Sequence, residues 1–445
     1  MKRPRFFTII IFSLLPAFFG ASEKITAGTK ASRDETAELQ KKLRKNPNDT
    51  RLRVRLGMSL LRAESHDAAL AQFDSALAQQ PDLPAAKFGR AEVKFLQGHR
   101  DESWRGYLEA LDSPEADQFM SDIAQRLGSP YAVRQITMAP GENMMAHFAP
   151  NGRTIVFQSN RDGNWEIYRA YADGSQPVRL TNDTAADESP CVSPDGRWIA
   201  FARTQDNGRA SEQVVAREIY IMEAQSGNGL ICVSRHRADD WNPAFSPKGD
   251  RLAFVSDRDD VRAVDFHERQ SDVFLFSLSD SSLTRFSQGF GDKSAPCFTP
   301  DGASLVYVNN VNGAFEIFEQ RLNSAQPNSL LSKNGPTERP SPGKPSKGGP
   351  QISPDGKRIV YFEKHDKNLD LFLFEREKNN VLRLTCDPAT EAFPVFSPDG
   401  NEIFFTSKRS GGYQIYAMDL RQPIARTELA ETLRRLLGQQ KAATQ

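Results

Sequence analysis

Carboxylates, histidines and cysteines are the residues of this 445-residue chain that could do chemistry, and the carboxylates are the most regularly placed. Asp187, Asp240 and Glu391 each stand three residues before a proline. Asp239, Asp292 and Glu142 lie one step earlier in matching segments: "NDTAADESP", "RHRADDWNP", "GFGDKSAP", "CDPATEAFP" and "APGENMMA". Any one of these acids could simply cap a turn. Brought onto one rim, Asp187, Asp240, Asp292 and Glu391 would form an electronegative funnel whose low-dielectric walls focus the field on a basic partner segment. The histidines make no ligand set: His66 and His99 fall in helical sequence, while His147, His236, His267 and His365 occupy four different places in a repeat. No G-x-S-x-G, H-E-x-x-H, P-loop or C-x-x-C motif is present. These readings predict a noncatalytic protein with no cofactor and no metal; a metal-dependent, lyase-like channel site is the enzymatic alternative.

Lys plus Arg equals Asp plus Glu at 57 each, so no global field recruits nucleic acid or an anionic membrane. Among the four cysteines, Cys191 and Cys297 share a repeat position two units apart, and Cys232 and Cys386 lie in edge strands of different units. Residues so far apart round a ring cannot come within the roughly 7 Å that a disulfide needs. Four free thiols packed as small hydrophobes are expected.

The elements that must position these residues come from one repeated phrase. "SPCVSPDGRWIAF" at 189–201 returns as "NPAFSPKGDRLAF", "APCFTPDGASLVY", "GPQISPDGKRIVY" and "FPVFSPDGNEIFF", and earlier as "AHFAPNGRTIVF". In it a strand ends in a tight turn: proline presets φ, Asp bonds its own backbone and Gly takes the left-handed conformation. An apolar strand follows, then an alternating third ("WEIY", "REIYIM", "SDVFLF", "FEIF", "LDLFLF", "YQIY"). Five units add a fourth ("PVRLT", "LICVS", "LTRFS", "NSLLS", "VLRLT"). Six such units predict a six-bladed β-propeller over 131–424. The last unit lacks its fourth strand, whereas "YAVRQITM" at 131–138 precedes the first unit without a blade of its own; placed in the last blade it closes the ring.

Flanking segments have other tasks. Residues 33–128 show helical spacing, and Gly57, Ala69, Phe73, Ala76 and Pro81 follow a tetratricopeptide period, echoed by Ala91, Ser103, Tyr107 and Ala110 with Lys94 at an apolar position. A stripe of Leu429, Leu433, Leu436 and Leu437 predicts an amphipathic helix over 426–438, stopped by Gly438. At the front, Lys2, Arg3 and Arg5 precede about 14 apolar residues and a small-residue trio, the pattern of a signal peptide over 1–22. A retained anchor is the other reading; cleavage would leave no membrane span in the mature chain. "SKNGPTERPSPGKPSKGGP" at 332–350 reads as a basic insertion.

The blade pattern resembles the TolB-like propellers, a resemblance carried by the six "SPDG…EIY…RLT" units over 131–424. It implies an exported, periplasmic scaffold that docks other envelope proteins, among them a peptidoglycan-associated or outer-membrane lipoprotein. The fold class expected is therefore multidomain α plus all-β: a short tetratricopeptide-like helical region, then a six-bladed β-propeller. A propeller binding a glycan or cation at its acidic mouth is the alternative.

Overall fold

A computed structural model describes residues 30–138, 140–204, 216–262, 269–289, 291–311, 313–324, 326–331, 346–365 and 368–443. The signal-peptide segment 1–22 and residues 332–345 of the basic insertion lie outside the described residues. The chain divides into two compact units, Met1–Ala116 and Asp117–Gln445.

The first unit holds α1 (Lys30–Lys45), α2 (Thr50–Arg62), α3 (His66–Gln79), α4 (Pro84–Leu96) and α5 (Arg100–Leu111). Asp49 caps α2 by accepting the Leu52 N–H at 2.9 Å, and Pro84 opens α4, where a missing N–H costs nothing. Phe73 is fully buried against Gly57 and Gly89, where added β-carbons would run into its ring. Leu56, Leu60, Ala69 and Ala76 complete this core. Buried Glu92 is satisfied by the Tyr107 hydroxyl at 2.5 Å, and Lys94 turns its ammonium to Glu102 at 2.9 Å.

A sixth helix, α6 (Asp117–Leu127), belongs to the second unit, where it packs on α7 (Arg426–Ala443). The helical run thus extends to Leu127, while the division into compact units falls at 116/117, ahead of this helix. Leu429 and Leu433 of α7 are fully buried, and Arg435 reaches Asp387 at 2.8 Å. The helix runs through Gly438 instead of stopping there; glycine lowers helix propensity but does not forbid the conformation. No described helix is long and apolar enough to cross a membrane.

The rest of the unit is six four-stranded antiparallel sheets, a six-bladed propeller. Inner strands begin at Asn143, Asp187, Asp240, Lys293, Lys347 and Glu391. In the sixth blade the fourth strand is Tyr131–Gln135, paired antiparallel with Gln414–Pro423. Pairing continues past it, as the Ile136 N–H donates to the Ile415 carbonyl at 2.8 Å. The propeller's first and last strands are thus laced into one blade, which removes an open sheet edge.

The turn between inner and second strand is five residues long in all six blades, and these turns touch one another. Gly196, Gly249, Gly302, Gly356, Gly400 and Gly152 have φ between +65° and +72°. Each faces the proline of the preceding turn, in order Pro150, Pro194, Pro247, Pro300, Pro354 and Pro398, where a β-carbon would stand 3.5–3.9 Å from the ring; at Gly400 the Arg358 side chain also comes within 3.1 Å. The repeated phrase therefore contacts its own copies in a closed ring round one mouth of the channel. This is the turn face.

Candidate interaction face

The opposite face carries the second-to-third connections within blades and the outer-to-inner connections between them. Here lengths vary: the second-to-third connection has two residues in blades four and five, twelve in blade two (205–216) and fifteen in blade three (257–271). The link from blade four to blade five spans 330–346. We call this the loop face. Every inner strand enters from it and bends after two residues at a β-bulge. Met145, Ser189, Asn242, Ala295, Gly349 and Phe393 hold positive φ of 48–55° there. In five blades proline follows, tolerated because the bulge asks no ladder N–H of it.

The first inner-strand residues form a ring: Asn143, Asp187, Asp240, Lys293, Lys347 and Glu391. The expected exposed acidic funnel is corrected on two counts. Asp187, Asp240 and Glu391 are fully buried, and each has an arginine: Arg203 at 3.0 Å from Asp187, Arg258 at 2.9 Å from Asp240, and Arg409 on Glu391. Asp292 is half-buried and one residue out of register; the ring position beside it is Lys293. A carboxylate removed from water without a partner is very costly, so these acids come with cations, Arg203 from the end of a second strand and Arg258 and Arg409 from second-to-third turns. Asp239 likewise pairs with Arg217 at 2.6 Å.

A second set of acids went unrecognised in sequence. Near the start of each third strand, at equivalent ladder positions, stand Glu166, Glu218, Asp272, Glu316, Asp370 and Gln414, all buried. Arg179, Arg285 and Arg383 from the outer strands pair with Glu166, Asp272 and Asp370 at 2.5–2.7 Å. The hydroxyls of Thr181, Ser234, Ser287, Thr385 and Thr137 accept the N–H of the next third-strand residue at 2.9 Å. The signal was present in the third-strand phrases "WEIY", "REIY", "SDVF", "FEIF", "LDLF" and "YQIY" and in the recurrent "RLT". Where the inner strand supplies the cation it pairs directly: Lys293 with Asp272 at 3.1 Å and Lys347 with Glu316 at 2.8 Å.

The four cysteines are free. Burial pushes the thiols of Cys191 and Cys297 up to about 12, leaving them unreactive. His147, at the same inner-strand position, is held below its ordinary value by burial; its Nδ1 lies 3.3 Å from the Val192 N–H, an inter-blade bond. Among the described residues no group of three His, Cys, Asp or Glu is placed to hold a metal ion.

Comparison with known proteins matches residues 337–431 to the family model "TolB beta propeller domain". The chain is 29% identical over 167 residues to an uncharacterized protein of Agrobacterium fabrum, which covers 36% of this chain and 53% of that one. It is 26% identical over 175 residues to a TolB homolog of Chlorobium luteolum, covering 39% and 36%. The matched regions thus span about half or less of these relatives' own length. Among solved structures, TolB from Acinetobacter baumannii aligns at 18% identity and TM-score 0.45, covering 72% of this chain and 70% of that one. An oligogalacturonate lyase in complex with manganese aligns at 15% and 0.45, covering 65% and 93%. The match to a TolB-type domain thus lies at 337–431, within a chain that folds as a six-bladed propeller.

Proposed function

We propose that this chain is a noncatalytic, exported scaffold whose propeller docks another envelope protein, a lipoprotein of the peptidoglycan-associated or outer-membrane kind, on its loop face. The observation that carries the reading is the asymmetry between faces. Six five-residue turns on one side are tied to one another, while connections on the other side range from two to seventeen residues. Loops held on a rigid frame are where recognition varies most freely. Asp187, Asp240 and Glu391 enter as the frame that fixes the rim, and Asp292 as the acid of the set with some access to solvent. The tetratricopeptide-like helices offer a further surface of the same class. The signal-peptide-like pattern of the sequence over 1–22 supports export.

Photo-crosslinking in intact envelopes tests this. A crosslinker at Asp183, Asp259 or Asp292 on the loop face should capture one envelope protein, which the same probe at Asp301 or Asp355 on the turn face should miss. Equal capture from both faces, or capture only from α2–α5, would overturn the placement.

A further inference from the structure

At each of the six blade junctions on the loop face, the first residue of an inner strand occupies the place facing one register-equivalent residue near the start of the preceding blade's third strand. Three of these contacts are direct, and in each the inner strand brings an N–H donor. Asn143 Nδ2 donates to Gln414 Oε1 at 2.8 Å; Lys293 Nζ stands 3.1 Å from Asp272; Lys347 Nζ stands 2.8 Å from Glu316. At the other three junctions the equivalent residues are both acids: Asp187 with Glu166, Asp240 with Glu218, Glu391 with Asp370. An ionised carboxylate can only accept, so two of them at one such place repel unless one keeps a proton.

Two further observations bear on that proton. Glu166 Oε2, Asp240 Oδ1 and Glu391 Oε2, one at each acid–acid junction, are buried with no hydrogen-bond partner. At the junction of blades two and three, Ser234 has a single hydroxyl hydrogen. It accepts from the Ile219 N–H at 2.9 Å, donates to Glu218 at 2.6 Å and also stands beside Asp240, whose carboxylate it stabilises, so one serine bridges the two acids.

We propose that these three junctions are proton-binding carboxyl pairs, each holding one proton in mildly acid solution, and that losing it as pH rises loosens adjacent blades at the loop face. The groups facing them are set by the fold. Asp187 meets Arg203, Thr181, Glu166 and Asp183; Asp240 meets Arg258, Ser256, Ser234 and, through that serine, Glu218. Glu391 meets Arg409 and Ser407, while Arg383 holds Asp370 and Asp387, near Arg409, is paired with Arg435. Burial lifts Asp187 to about 7, with Glu166 and Asp183 adding to it against Arg203; burial lifts Asp240 to about 6 against Arg258.

The sign follows from the raised values. An acid that binds its proton more tightly when folded adds stability that is full below its ordinary value, near 3.8, and is lost as pH rises through the folded value. Between about pH 5 and about pH 8 the folding equilibrium should therefore fall by about a hundredfold from Asp187 and about tenfold from Asp240.

Urea titration of the full chain and of Asp187→Asn and Asp240→Asn, which install the amide found at Asn143, reads this directly. Each variant should match wild type near the acid end and exceed it near the basic end by those factors. Equal stability differences at both ends would overturn the proposal, since they would show the acids to be ionised throughout. Infrared difference spectra of the wild type need no variant: a protonated-carboxyl band should persist to about pH 6 and vanish in alkali, and absence of that band at about pH 6 would overturn the proposal too.

Discussion

Closure by the strand Tyr131–Gln135 and the two residues after it makes the strongest demand on the whole propeller. Ile136 is 3% exposed and packs with Phe157, Ile415 and Phe404 in the core shared by the first and last blades. Truncating it to Ala should cost about 2–5 kcal/mol, from lost transfer energy and the cavity left behind. Thr137 donates to Gln414 at 2.8 Å and accepts the Ile415 N–H at 2.9 Å. Thr137→Val would orphan the buried Ile415 N–H, while Gln414 Oε1 keeps its Asn143 donor, at about 1–3 kcal/mol. Replacing 131–137 in the full chain by a Gly/Ser segment of equal length removes more. Roughly five ladder bonds at about 1 kcal/mol each, the burial of Ile136 at about 1.5–3 kcal/mol and the partial burial of Tyr131 and Val133 at about 1 kcal/mol each sum to about 10 kcal/mol. That is the size of a typical domain's entire stability. Because the strand joins the propeller's ends, the loss should appear everywhere. Amide exchange in the third blade, at Leu252–Val255, should accelerate as much as in the sixth, with one cooperative denaturant transition at lower midpoint. If exchange rises only around Gln414–Pro423, or the midpoint does not move, the closed ring is not what holds the propeller together.

Two further outcomes test the supporting structure. Gly249→Ala and Gly302→Ala place a β-carbon on residues at φ +71° and +68°, which should cost about 1–2 kcal/mol each; calorimetry giving unchanged melting for either would contradict the constraint on the turn ring. Leu433→Ala should cost about 2–5 kcal/mol because its side chain is fully buried, and wild-type amides across 428–437 should exchange slowly; rapid exchange there would mean that α7 is not docked.

Much of this architecture was legible along the chain because its causes are local. Proline, aspartate and glycine dictate their turn wherever they occur together, and alternation of period two marks the strands between turns. Repetition then did the counting, and the orphan "YAVRQITM" beside an incomplete last unit pointed to closure. The helical spacing around Gly57 and Phe73 was equally readable, since a glycine and an aromatic at those intervals must meet across neighbouring helices. Gly438 misled because a helix-ending residue acts through a left-handed conformation that α7 does not adopt.

The rim was read differently, and its acids show where sequence stops. Asp187, Asp240 and Glu391 were visible as recurrent carboxylates, but whether a strand's first residue faces water or a neighbouring blade depends on contacts between segments 16 to more than 20 residues apart. The structure buries them, and burial reverses their meaning. A solvated acid lends charge to the field of a mouth, whereas a buried one must be neutralised by Arg203, Arg258 or Arg409, or by a proton. Nor does spacing alone show that Lys293 and Lys347 stand in the same ring as those acids, or that Glu166 and Glu218 lie across from it. Local chemistry along the chain determined the blades and their turns. Only the closed ring decided which charges are buried together, because desolvation belongs to the packed assembly and not to any one segment.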